Sequence, residues 1–170
     1  RQLSSIELSP LCADSLVRVG RARRGAVDRR ERWARSRTFD CSVRQGGWGT
    51  RTASVTGGCV ALSYACWKLV EEGVIPEMPI TTCVAAVSAG IVHHVPMLAL
   101  CYEEDSSAMV DLNCVMNHEG ETIELQGTGA ARAFPIAEQR KLVDLCRQGT
   151  RADPAHQRAA LDRGEACTSL

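Results

Sequence analysis

Gly46-Gly47-Trp48-Gly49-Thr50-Arg51-Thr52-Ala53-Ser54-Val55-Thr56-Gly57-Gly58-Cys59 changes character partway along. Glycine at 46, 47 and 49 penalises any regular element, so the run opens as a loop. Beyond it, Val55, Cys59, Leu62, Cys66, Leu69 and Val70 recur at helical spacings of three and four, the mark of a helix with one buried face. Thr52 is the expected N-cap, and Gly73 with Pro76 the expected stop. Upstream, Phe39, Cys41 and Val43 alternate with polar neighbours, which predicts a short strand ending at Gln45. A strand, a glycine loop and a helix N-terminus in that order make a place where backbone N–H groups and the positive helix end favour an anion. Arg51 would add a bidentate donor and Thr50 a hydroxyl. The run matches neither the Walker A pattern nor GxGxxG, and a plain tight turn explains the same residues.

Downstream, two β runs are expected, Ile80 to Val92 and Met97 to Tyr102, joined through His93-His94-Val95-Pro96. Two more, Asp111 to Met116 and Thr122 to Gln126, flank Asn117-His118-Glu119-Gly120, whose glycine suits a hairpin turn. A helix from Pro135 to Arg147 follows, with Leu142, Leu145 and Cys146 facing in, then a weaker one from Pro154 to Leu161. This order predicts an α/β (α+β, two-layer) architecture, a sheet packed with helices. Glu103-Glu104-Asp105, with Asp111 nearby, end an apolar strand. Acids crowded there can hold Mg²⁺, although a solvated turn is the plainer account. An anion cradle and a carboxylate cluster are together the parts that metal-assisted phosphoryl transfer needs. His93 and His94 are adjacent in a turn and point apart, so they read as loop residues; Ser88, Ser106 and Ser107 lack a nucleophile elbow.

At 170 residues the chain is one domain's worth, and 45% hydrophobic with 24% charged residues excludes disorder and fibrous repeats as defaults. The longest apolar stretches, Thr82 to Val92 and Val95 to Cys101, fall well short of the roughly 20 residues a bilayer needs. Arg1 to Asp14 lacks the apolar core of a secretory signal, and no membrane partner is expected. Nine scattered cysteines show no CxxC and no zinc spacing. Cys59, Cys83 and Cys114 lie inside apolar runs, which fits buried thiols in a cytoplasmic protein. The net charge of zero hides an asymmetry: residues 1–51 hold twelve arginines against five acids, and the remainder is acidic by the same margin. Such an arginine-rich segment suits phosphate, and it equally suits pairing with the acidic half.

Gly49-Thr50-Arg51-Thr52-Ala53-Ser54-Val55-Thr56-Gly57 resembles the GTRTAxITG signature of the ribonuclease PH family. The resemblance continues through Val84 to Val92, Leu100-Cys101-Tyr102-Glu103-Glu104-Asp105-Ser106, Asp111 to Met116, Ile123-Glu124-Leu125-Gln126-Gly127-Thr128 and Gln157-Arg158-Ala159-Ala160-Leu161. It implies a ribonuclease PH-like sheet, incomplete at its N-terminal side, and a phosphorolytic 3′→5′ exoribonuclease. Such an enzyme trims the 3′ ends of tRNA precursors with inorganic phosphate and releases nucleoside diphosphates. It also implies a homo-oligomer, a hexameric ring in the family, and Mg²⁺. Carried over by motif, Gly49, Thr50 and Arg51 would bind the attacking phosphate. Asp105 would be the catalytic acid and, with Asp111, hold the metal; Arg21 and Arg24 would contact RNA. The family's second catalytic aspartate falls at Ala99, its further phosphate arginine at Leu11, and Trp48 stands in a loop that usually carries an acid. These departures leave a second expectation, an inactive RNA-binding or ring-forming subunit of the same fold. The arginines at 18, 23, 29 and 32, placed where a helix would want apolar residues, leave a third, a divergent fragment. The expected organisation is a basic segment 1–37, one domain over 38–163 and a tail from 164 to 170.

Overall fold

A computed structural model describes residues 49–151 together with 157, 159 and 161. The basic segment 1–37, the strand expected at 39–45, Trp48 and the tail lie outside the described residues, and so do the domain limits drawn there.

Helix α1 spans Thr50–Glu71 and begins two residues before the expected cap. Gly49 is the N-cap, in the left-handed region at φ 53, and a Cβ there would collide with Thr52 Oγ1. Thr52 therefore lies inside the first turn, where its hydroxyl donates to Gly49 O at 2.7 Å instead of capping an amide. The expected buried face is present: Val55, Cys59, Leu62 and Cys66 are all buried. The helix ends at the expected glycine, Gly73, whose φ is 67 and whose N–H donates to Val70 O at 3.0 Å.

Strands β1 (Val84–Val92), β2 (Val95–Leu98), β3 (Val110–Asn117) and β4 (Thr122–Thr128) form one antiparallel sheet in the order β2-β1-β3-β4. The first strand starts at Val84, not Ile80: Val84 pairs with Asn117, the last residue of β3, and beyond it the His118 N–H donates to Cys83 O at 3.1 Å without extending either strand. The connection after it is shorter than expected. His93 and His94 alone make the turn, both at positive φ (48 and 67), and Val92 pairs directly with Val95. Two left-handed residues suit a hairpin because their twist matches that of the strands. The second run does not reach Tyr102: Ala99 turns the chain at φ 54, and Tyr102–Ser107 is a short helix, α2. The acids Glu103, Glu104 and Asp105 thus sit on a helix rather than at a strand end. Glu104 accepts the Cys101 N–H at 2.7 Å, one half of a capping box, and acidic residues suit a helix start.

Helix α1 packs on one face of the sheet through Val55, Cys59, Val84, Ala86 and Val115. Helix α3 (Ile136–Thr150) packs on the other through Leu142 and Cys146 against Ala89, Ile91, Leu112, Cys114 and Met116. This mixed helix and antiparallel-sheet architecture is the one the residue pattern predicts. Helix α3 runs three residues past the expected Arg147. Gly149 does not stop it; the absent side chain lets the helix approach β2, where a Cβ would meet Leu98 Cδ2 at 2.6 Å. Residues 157, 159 and 161 of the weaker final helix are helical. Gln157 Nε2 donates to Val84 O at 2.8 Å, which docks that helix on the start of β1. Cys59 and Cys114 are buried as expected, whereas Cys83 is half-buried. No described helix is long and apolar enough to cross a membrane.

Candidate functional site

The site follows from the pleat. Ala86 and Val115 face α1, so every second residue from them along the strands shares that face. On β1 these are Ser88 and Gly90, on β3 Asp111 and Asn113, and on β4 Glu124, Gln126 and Thr128. Register aligns Ser88 with Asn113 and Asn113 with Gln126, and the Ala99 N–H donates to Ser88 O at 2.8 Å. One polar row therefore crosses β1, β3 and β4 just where α1 begins. The helix covers the apolar end of this face and stops short of the polar end.

Gly49 brings the start of α1 onto that row: Ser88 Oγ lies 3.7 Å from where a Cβ on Gly49 would sit. Among the described residues no side chain caps the helix start and its first turn holds no acid, so none of them offsets the positive end of the dipole. Thr50 is half-buried and Arg51 is exposed at the mouth of a narrow cleft. Thr52, Val55, Ala86, Asn113, Val115, Glu124 and Gln126 line the rest of the cleft.

Asp111 stands beside this mouth, half-buried, and Asn113 Nδ2 donates to its Oδ2 at 3.1 Å. Burial raises its pKa most, and the charge of Asp105 raises it further. The Asn113 hydrogen bond and the positive charge of Arg51 pull the other way without cancelling the rise. The same carboxyl thus feels both Asp105 and Arg51. The fold brings together the glycine loop's Gly49, Thr50 and Arg51 with the acids Asp105 and Asp111, residues more than fifty positions apart in the chain. Among the described residues no group of three or more His, Cys, Asp or Glu could hold a metal ion. Two carboxylates next to an anion site are nonetheless a donor set that suits Mg²⁺, which is commonly held by one or two carboxylates plus phosphate oxygens. Arg21, Arg24 and Leu11 lie outside the described residues.

Ser88, Asn113, Glu124 and Gln126 were not singled out from sequence. Their signal is the period-two polar set that interrupts three otherwise apolar strands on the face toward α1.

No family model matches this sequence. Among curated relatives, ribonuclease PH of Neisseria meningitidis serogroup C is 46% identical over 143 residues, 84% of this chain and 59% of the relative. Ribonuclease PH of Corynebacterium glutamicum is 46% identical over the same length, 84% of this chain and 58% of the relative. The chain therefore spans somewhat under three fifths of the curated relatives it matches. Among solved structures, rice Rrp46 has a TM-score of 0.63 at 10% identity, covering 92% of this chain and 68% of that one. The Archaeoglobus fulgidus exosome with RNA bound to its active site has a TM-score of 0.60 at 16% identity, covering 87% of this chain and 63% of that one. These two show the fold.

Proposed function

The chain is a ribonuclease PH family sequence over the 143 residues it shares with those relatives, and on that premise we propose that it is a phosphorolytic 3′→5′ exoribonuclease. Its substrates are tRNA precursor 3′ ends and inorganic phosphate. An oxygen of inorganic phosphate attacks the phosphorus of the terminal nucleotide, and the bond from that phosphorus to the preceding 3′ oxygen breaks. A nucleoside diphosphate leaves, and the shortened RNA regains a 3′ hydroxyl by taking up a proton. The uncapped start of α1 and the Arg51 guanidinium hold and orient the attacking phosphate, beside Gly49 and Thr50. Asp105 is the acid at the reacting bond, with Asp111 behind it. Mg²⁺, bound by Asp105 and Asp111 together with phosphate oxygens, would supply charge neutralisation there. Arg21 and Arg24 carry the RNA backbone, and the working assembly is a hexameric ring of this chain in the cytoplasm.

The observation that carries this reading is that Arg51 and Asn113 line one cleft while Asn113 Nδ2 donates to the Asp111 carboxylate at 3.1 Å, and the charges of Arg51 and Asp105 both act on that carboxyl. An anion holder and an acid pair therefore occupy one neighbourhood, as phosphoryl transfer requires. A second reading is favoured by Ala99, which sits beside Ser88 at the end of β2 and offers no carboxylate. On that reading the chain is an inactive RNA-binding or ring-forming subunit.

The test incubates the chain with a 3′-extended tRNA precursor and Mg²⁺, with and without inorganic phosphate, and resolves the released nucleotides. The first reading expects phosphate-dependent nucleoside diphosphates, lost in Arg51→Ala and Asp105→Ala. Absence of release from a folded chain that binds RNA overturns it in favour of the second.

A further inference from the structure

The cleft beside the start of α1 holds two acceptors that the proposed chemistry does not use. Glu124 Oε2 and Gln126 Oε1 are buried side-chain oxygens without a hydrogen-bond partner among the described residues. Both residues line the cleft, with Arg51 at its mouth and Asn113 opposite. Leaving such atoms unpaired is costly, typically about 1–3 kcal/mol each, so each is expected to meet a donor, whether water or a bound group. The acceptors lie two residues apart on one face of β4, since Gln126 pairs with Asn113 and Glu124 with Val115.

We propose that Glu124 and Gln126 receive a ribose hydroxyl of the RNA 3′ end, so that this cleft is where the protein distinguishes RNA from DNA. The inference rests on the exoribonuclease or RNA-binding reading and deepens it. Three features select the occupant. The unpaired acceptors in an otherwise largely apolar lining include a carboxylate oxygen, which repels a second phosphate and favours a neutral donor. The free space is about 20 Å³, which admits a water-sized group and excludes a base or a sugar ring. Arg51 and Thr52 belong both to the cleft and to the start of α1, so a group in the cleft adjoins a phosphate held at the helix start. The 2′ hydroxyl is the group by which a protein tells the two nucleic acids apart.

The test measures binding of the full chain to a 5′-fluorescein oligoribonucleotide and to the same oligonucleotide with its two 3′-terminal riboses replaced by 2′-deoxyribose. Anisotropy is read with no inorganic phosphate, so that no turnover intervenes. Wild type is expected to prefer the all-ribose end by roughly five- to tenfold. Gln126→Leu and Glu124→Leu each bring that ratio close to one, while Gln126→Glu, which keeps an acceptor, retains it. The ratio is the readout because a variant that merely loosens the fold weakens both ligands together. A wild type without preference, or a preference untouched in folded Gln126→Leu and Glu124→Leu, overturns the assignment and leaves RNA binding standing. A folded wild type that binds neither oligonucleotide overturns both.

Discussion

Ala99 is the residue whose backbone and side chain disagree. Its φ of 54 places it in the left-handed region, where an alanine Cβ crowds the following carbonyl. Its amide is held by Ser88 O, so the chain cannot relax without breaking the last rung beside β2. Ala99→Gly removes the crowding and is expected to stabilise the fold by about 1 kcal/mol, offset in part by glycine's freer unfolded state. A higher urea midpoint with an unchanged slope checks this. Asp111 carries strain of another kind. Its folded pKa is raised, first by burial and then by Asp105, so the folded state holds the proton more tightly than the unfolded chain does. Its ionised form therefore costs stability at neutral pH, and the cost is relieved as the pH falls through the raised value. Asp111→Asn should melt above wild type at pH 7, with the gap closing on acidification. An equal gap at all pH values would place the effect in packing instead. If Asp111 serves the proposed chemistry, the same variant loses phosphorolysis, the usual exchange of stability for function at a site that gathers like charges.

At the scale of elements, the β1–β2 hairpin turns on His93 and His94, both at positive φ. Asn-Gly is the pair that tolerates this geometry best. The double variant His93→Asn, His94→Gly is expected to gain about 0.5–1 kcal/mol, visible as a higher melting temperature. This turn also shows why some element limits were hidden. Two histidines carry no turn signature, so the loop looks wider than it is and β2 reads as starting two residues late. The reverse holds for α1, whose buried face was legible because Val55, Cys59, Leu62 and Cys66 repeat over about three turns, more than any local exception can mask. Its start was misread because threonine is a good cap in general, whereas Gly49 can adopt a left-handed cap that threonine resists. Helix α2 was missed because six residues are too few for a period; only the Cys101 to Glu104 spacing announced it. The candidate site divides along the same line. Gly49, Thr50, Arg51, Asp105 and Asp111 were legible as motif residues, each local in sequence. Ser88, Asn113, Glu124 and Gln126 make a row only through strand register, which no single stretch reveals.

For the whole molecule the governing fact is charge placement. Residues 1–51 carry seven more positive than negative charges and the rest carries the reverse, so the chain is neutral in sum and strongly polar in layout. An RNA ligand meets two opposed fields: the basic segment attracts it, while the acids at 103–105 and Asp111 repel its phosphates near the proposed reaction centre. On the proposed function, approach would be governed by the basic segment, and only a 3′ end guided past the acids would reach Arg51. Replacing Arg21 and Arg24 with alanine tests this division. If both contact phosphates, affinity falls by a similar factor for oligonucleotides of any sequence. The slope of log affinity against log salt then flattens by about 1.4, since each single-strand phosphate contact contributes about 0.7. If the basic segment instead pairs with the acidic half, the slope stays and the melting temperature drops, because the lost partners are carboxylates of the same chain. A titration of RNA binding at several salt concentrations, run beside thermal melts of both proteins, separates the two.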